Sequence, residues 1–534
     1  MKPGRSSVRS LAVQLLAVVF ILSSGCSSPP VGNDTDLSST ARNGINALAA
    51  IGPVSAPLNS AKLETVECWF HIPTDAPMTS CYRMHVPENH DRADSPLINF
   101  PVIKLSAEKA SKPKTPVLHL GGGGPGNPIG FDPDAVGLWL WSWYQQMSVS
   151  DQRDLYLIDP RGVGLAQPVL VCKEYIPAFL GSLSRNLTVE QEIIWNTEVN
   201  QQCAERLTAS GIELGAYNSF SIARDMELLR RAFDIERWNL YGVSYGSRYA
   251  LTIAREFPDT IDAMVLDATV FPNVRYMDNY ATNLEQAFNR LIKVCNESSS
   301  CSNVLEDPEQ RFWNLVRKLQ RNPIRTTIKH PQREQQINLV LNGERFLSVF
   351  YNALYDAAQF SDLPEVITSL ENNELGIFEQ KINDWLAFQT DEDYGDASAA
   401  AHYCHEESPF INYKQAIETA SGLRNELRTP TIALLRFNQQ QCERWPVKPA
   451  GAIEGEPVIT RIPTLFLHGA LDPVLPVENL ELQLSYFSQS AYEIFPDMSH
   501  SIVGVHPCGE SMAQAFYNFK LGFRAHINCI GQPQ

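Results

Sequence analysis

Short apolar runs, each closed by glycine or a charged turn, recur along the middle and end of the chain. They are "PVLHLGGGGPG" from Pro116, "LYLIDPRGVG" from Leu155, "LYGVSYGSRYA" from Leu240, "AMVLDAT" from Ala263 and "PTLFLHGALDP" from Pro463. Short apolar runs with little polar alternation predict strands buried on both faces. Helical patterns lie between them, as in "SIARDMELLRRAFDI", where Met226, Leu229 and Phe233 share one face. Alternation of this kind predicts a mostly parallel sheet, whose functional loops gather at the carboxyl ends of the strands. Each of these glycine-rich turns holds that position. After Tyr276 the pattern changes: to about Glu454 the chain reads as amphipathic helices, such as "LEQAFNRLIKVC" and "RFWNLVRKLQRN", with few strand signals. This predicts a helical lid inserted into the sheet domain.

The first residues belong to another grammar. Lys2, Arg5 and Arg9 precede an apolar stretch from Leu11 to Leu22, too short and too interrupted by Gln14 to span a bilayer, which reads as a secretory signal. It ends in "LSSGC", similar to a bacterial lipobox with Cys26 as the lipidated residue, although the leucine lies four rather than three positions ahead. Ordinary signal cleavage therefore stays open. A Ser-, Pro- and Gly-rich stretch follows and reads as a tether. The expected division is 1–26 signal and lipobox, 27–62 tether, 63–275 first part of the sheet domain, 276–454 lid, and 455–534 its last part.

Export changes the meaning of the cysteines. Of eleven, ten remain after Cys26, an even number that predicts disulfides in an oxidising compartment. Pairing by sequence neighbours gives Cys68 with Cys81, Cys172 with Cys203, Cys295 with Cys301, Cys404 with Cys442, and Cys508 with Cys529. Metal binding is the rival reading, but neither C-x-x-C nor H-E-x-x-H occurs. No metal and no cofactor are expected. The formal charge of −17 disfavours nucleic acid as a partner.

Ser244 stands between Gly242 and Gly246 at a strand-to-helix turn so cramped that both flanking positions must lack a Cβ. A serine hydroxyl needs a base to take its proton and a carboxylate to orient that base. Asp472 follows the strand "TLFLHG", and His500 follows a strand ending at Phe495 in "EIFPDMSHSIVG". The order Ser244, Asp472, His500 is the α/β-hydrolase order, and the lid fills the long interval after Ser244. His506, His468 and Asp497 are the rivals for base and acid. Gly124, in the glycine loop, and Tyr245 are the candidate oxyanion donors through their N–H groups. The loop lacks the G-K-[ST] of a phosphate cradle.

In this order, "GGGPG", "DPRGVGLAQP", "GVSYGSRYA", "HGALDPVLPV" and "MSHS" resemble the proline iminopeptidase and tripeptidyl aminopeptidase branch of the α/β-hydrolases. The stretches "AHYCHEESP" and "CERWP" also look like its secreted members. Gly122 occupies the place of the histidine that opens the iminopeptidase signature. The resemblance implies Gly124 at the oxyanion, Ser244 as nucleophile, Asp472 as acid and His500 as base, with Arg161 structural. It also implies lid-side carboxylates that hold a substrate ammonium, for which Glu406 and Glu407 beside Cys404 are the candidates; the rival reading makes them solvated surface acids. The expected function is a lipid-anchored envelope exopeptidase acting on peptide amino termini, touching the membrane only through its lipid. An esterase with the same residues, and a hydrolase-shaped binding protein without turnover, are the alternatives.

Overall fold

The computed structural model describes residues 61–527 apart from 73, 75, 77, 108–113 and 131–152. Cys26, the tether to residue 60 and Cys529 lie outside the described residues. Nine strands form one sheet: β1 (Lys62–Val66), β2 (Thr79–Pro87), β3 (Leu97–Leu105), β4 (Lys114–Leu120), β5 (Arg153–Ile158), β6 (Trp238–Val243), β7 (Ile261–Asp267), β10 (Thr464–Gly469) and β11 (Ser490–Phe495). They lie side by side in the order β1-β2-β3-β5-β4-β6-β7-β10-β11. From β5 to β11 every pairing is parallel, whereas β1, β2 and β3 are antiparallel, as is the β3–β5 pair. All six residues of β6 and all six of β10 are buried, which explains their lack of polar alternation.

Between β7 and β10 the chain is helical, as the pattern after Tyr276 anticipates, with one exception. β8 (Ile324–Lys329) and β9 (Gln336–Leu341) form a separate antiparallel hairpin. Its alternation is real: Ile324 and Ile328 are buried while Arg325, Thr327 and Lys329 are exposed. The run is too short to stand out among long amphipathic helices. The inserted helices pack around Phe288, Phe312, Trp313, Phe346, Phe350 and Phe378, whose rings lie 4.9 to 6.3 Å from their neighbours.

The insertion is not alone above the sheet. Helices Tyr175–Leu183 and Val189–Ala209, between β5 and β6, also bind it: Tyr175 donates to Gln389 at 2.8 Å, and Glu192 pairs with Arg345. Disulfides join Cys68 to Cys81, Cys172 to Cys203, Cys295 to Cys301 and Cys404 to Cys442. Cys508 is also disulfide-bonded. Among the described residues no helix is long and apolar enough to cross a membrane, and no cluster of His, Cys, Asp and Glu is arranged to hold a metal ion.

Candidate active site

Ser244 follows β6 and caps the helix Tyr245–Glu256, with φ 51° and ψ −127°. A non-glycine residue there is strained, and strain of this kind persists only where the surroundings enforce it. The surroundings are backbone. A Cβ at Gly246 would lie 2.0 Å from the carbonyl oxygen of Leu120, and one at Gly242 would lie 2.8 Å from that of Gly246. Ser244 N–H donates to Asp267 O at 2.9 Å, and Ser247 N–H donates to Ser244 O at 2.9 Å. The serine is nearly buried, at 4 % exposure.

The glycine loop after β4 lies directly over this turn. A Cβ at Gly122 would come within 2.9 Å of the Ser244 Cβ, so a residue larger than glycine requires the loop to shift. Gly123 and Gly124 both have positive φ, 96° and 76°. Asn127 Nδ2 holds the loop at Gly122 O (3.1 Å), and from the lid side Gly395 N–H donates to Gly126 O (2.7 Å). Tyr245 opens its helix, so its N–H has no intrahelical acceptor.

Asp472 and His500 meet, as the chain order anticipates. His500 Nδ1 lies 2.8 Å from Asp472 Oδ2, both side chains being buried. The other carboxylate oxygen accepts from Val474 N–H (2.8 Å) and Leu475 N–H (2.9 Å). Burial raises the Asp472 carboxyl, but His500, His468 and the Leu475 N–H together outweigh it, and the net shift is downward, keeping the acid ionised. His500 Nε2 is buried without a hydrogen-bond partner. The segment inserted between β7 and β10 braces this pair: His500 N–H donates to Tyr355 O at 3.2 Å, the two rings lie 5.1 Å apart, and Tyr351 OH donates to Pro473 O at 3.1 Å.

The rivals have other employment. His468 is buried in β10, accepts from Thr269 N–H at 3.1 Å, and is pushed down to about 4 by burial. His506 caps the helix Pro507–Phe519, accepting from Cys508 N–H at 3.1 Å. Asp497 is exposed. Arg161 is a structural clamp, as the motif implies: Nε donates to Asp225 at 2.7 Å, and the guanidinium also holds Ala216 O and Pro87 O.

Glu406 and Glu407 are not solvated surface acids. Both are buried against the helix that follows Ser244. Glu406 accepts from Ser219 N–H (2.9 Å), the Ser219 hydroxyl, Tyr245 OH (2.9 Å) and Arg248 Nε (3.2 Å). Burial would raise its carboxyl, but Arg248, His402, the Ser219 hydrogen bond and His405 together outweigh it and hold it at about 2. Glu407 is less well served. Arg248 Nη1 approaches it at 3.1 Å without forming a hydrogen bond, and Tyr245 OH reaches it only at 3.4 Å. One guanidinium serves Glu406, Glu407 and Glu454, and at Glu407 burial, with repulsion from Glu406 and Glu454, outweighs it and pushes the carboxyl up to about 7. Arg248 lies inside the "GVSYGSRYA" stretch, but nothing there singles it out as the hub of three carboxylates. Its signal in the sequence is an arginine four residues after the serine, on a helix that is otherwise apolar around it.

Comparisons with known proteins bear on the family of the chain. The family described as alpha/beta hydrolase fold matches residues 117–304, and that described as TAP-like protein matches residues 432–518. The serine protease Hip1 of Mycobacterium tuberculosis is 23% identical over 422 residues, 74% of this chain and 76% of its own. The tripeptidyl aminopeptidase of Streptomyces lividans is 30% identical over 137 residues, 25% of each chain. An esterase from Exiguobacterium antarcticum superposes with a TM-score of 0.33 at 13% identity, covering 76% of this chain and 90% of its own. The protein is a serine hydrolase of the α/β-hydrolase family, with the family's TAP-like region toward its C-terminus.

Proposed function

We propose that the protein is an exopeptidase that releases residues from peptide amino termini through an acyl-enzyme on Ser244. The observation that carries this reading is the buried His500–Asp472 pair, oriented at Nδ1 and left open at Nε2, past the carboxyl ends of β10 and β11, with the strained serine past the carboxyl end of β6. In the reaction, Ser244 Oγ adds to the scissile carbonyl as His500 Nε2 takes its proton, and Asp472 steadies the imidazolium. The N–H groups of Gly124 and Tyr245 receive the oxyanion. Collapse breaks the C–N bond, and His500 returns the proton to the departing amine. Water then adds to the acyl-enzyme by the same route and frees the amino-terminal fragment.

Glu407 favours peptides over simple esters. A buried carboxylate that its own arginine leaves under-satisfied gains most from a substrate ammonium, whereas Glu406 acts by holding Tyr245 and Arg248 in place. The names of the relatives, a serine protease and a tripeptidyl aminopeptidase, point the same way. Export with lipid on Cys26 completes the proposal, and the disulfides support an oxidising compartment. The test compares a tripeptide anilide with its amino-terminally acetylated form. Selective hydrolysis of the free form is expected; equal cleavage of both overturns the exopeptidase and promotes an esterase or broader hydrolase.

A further inference from the structure

Asp267 ends β7 in the run "AMVLDAT" and is fully buried. Its main-chain oxygen accepts the N–H of Ser244 at 2.9 Å. Its carboxylate accepts the N–H of Ile502 at 3.0 and 2.9 Å, on the two oxygens, and that of Val503 at 2.8 Å. These are the residues just past His500. The loop reaches them through Ser501, held at φ 74°. Tyr241 OH, from β6, donates to the same carboxylate at 3.1 Å. One residue thus grips the serine turn by its backbone and the histidine loop by its side chain. It is not the orienting acid, because Asp472 already occupies His500 Nδ1.

We propose that Asp267 is a positioning residue that fixes the distance and angle between the His500 ring and Ser244. The proposal rests on the reading of these two as base and nucleophile. Burial pushes the Asp267 carboxyl up to about 6, even with Val503 and Ile502 N–H groups pulling it down. At neutral pH it is ionised, so its bonds to the loop are charge-assisted, roughly twice as strong as neutral ones. An asparagine keeps the shape but turns an NH₂ toward one of the loop N–H donors, and the loop must retreat. A displacement near 1 Å is enough to cost about 100-fold in rate.

The experiment measures peptide turnover and fluorophosphonate labelling of wild type, Asp267→Asn and Tyr241→Phe, well below their melting temperatures. For Asp267→Asn, kcat and the labelling rate are expected to fall by about 10- to 100-fold with KM unchanged. Tyr241→Phe removes a bond to the carboxylate without touching the loop, and is expected to lower the melting temperature while kcat stays within about threefold. A purely structural Asp267 behaves like Tyr241, and unchanged kcat in a folded Asp267→Asn overturns the proposal. Wild type that takes no label at Ser244 overturns the underlying reading instead. If Asp267→Asn does not fold, amide exchange in wild type decides: slow exchange at Ile502 and Val503 supports the anchor, and exchange as fast as an exposed loop overturns it.

Discussion

The turn at Ser244 and the charge cluster at Arg248 lie about one helical turn apart and are built by opposite means. At the turn, backbone does the positioning: carbonyl oxygens of Leu120 and Gly121 leave no space for a Cβ at Gly246, and the serine is forced out of the usual conformations. At the cluster, side chains do it: one guanidinium is shared among three carboxylates from two places in the inserted region. A geometry made by backbone tolerates little substitution and writes itself into a short motif. One made by shared charge can be redistributed, and Glu406 and Glu407, adjacent in sequence, end up with opposite shifts.

Breaking the backbone-built side has the largest effects. Asp472→Asn leaves the fold in place but removes the group that holds His500 in its tautomer, so kcat is expected to fall by about 10³- to 10⁴-fold in a steady-state assay. Gly246→Ala is expected to cost about 3 kcal/mol or more in denaturant unfolding, because its Cβ meets main-chain atoms that cannot turn aside.

The charge-built side separates into two outcomes. Glu406→Gln removes the carboxylate that accepts from Arg248 Nε and is expected to destabilise the fold by about 3 kcal/mol. Glu407→Gln is expected to be nearly neutral in stability yet to lower kcat/KM by about 10- to 100-fold on free-amine peptides, sparing neutral esters. The reverse assignment, with Glu406→Gln stable and selectively impaired, exchanges the roles of the two residues.

The smallest effect is on pH. Burial pushes Asp159, Asp396 and Glu407 each up to about 7, so the folded chain holds protons there that the unfolded chain releases. Stability is therefore expected to rise as pH falls from 8 to 6.5, by about 1 to 2 kcal/mol in thermal or denaturant unfolding. Below about 6.5 the gain levels off, because His119 and His468 are buried neutral and the unfolded chain takes up protons on them.

Legibility in the sequence follows the same division. Gly242, Gly246 and the glycine loop are readable because steric exclusion admits one residue type. The Asp472–His500 contact is readable because both stand just past strands that pair in register, Thr464 to Ser490 through Gly469 to Phe495. The antiparallel strands β1 to β3 and the β8–β9 hairpin carry a weaker signal. In β2 and β3 the alternation is interrupted by half-buried charged residues such as Arg83 and Lys104, whereas the β8–β9 hairpin alternates but is too short to stand out among the helices around it. Burial of Glu406 and Glu407 is not legible, since their partners Ser219, Tyr245 and Arg248 are distant in sequence and the pair looks like any exposed acidic dipeptide. Asp267 is hidden for a related reason. At a strand end an aspartate reads as a turn residue, and its bonds to Ile502 and Val503 exist only once β7 and β10 are side by side.

The most direct measurement is the site of covalent modification. A serine-directed fluorophosphonate is applied to the folded protein, the adduct is mapped by mass spectrometry, and the reaction is repeated with Ser244→Ala. A single adduct on Ser244, with label and peptide turnover both lost in Ser244→Ala, is the expected result. Label that persists in Ser244→Ala, or turnover that survives it within tenfold of wild type, contradicts Ser244 as the nucleophile.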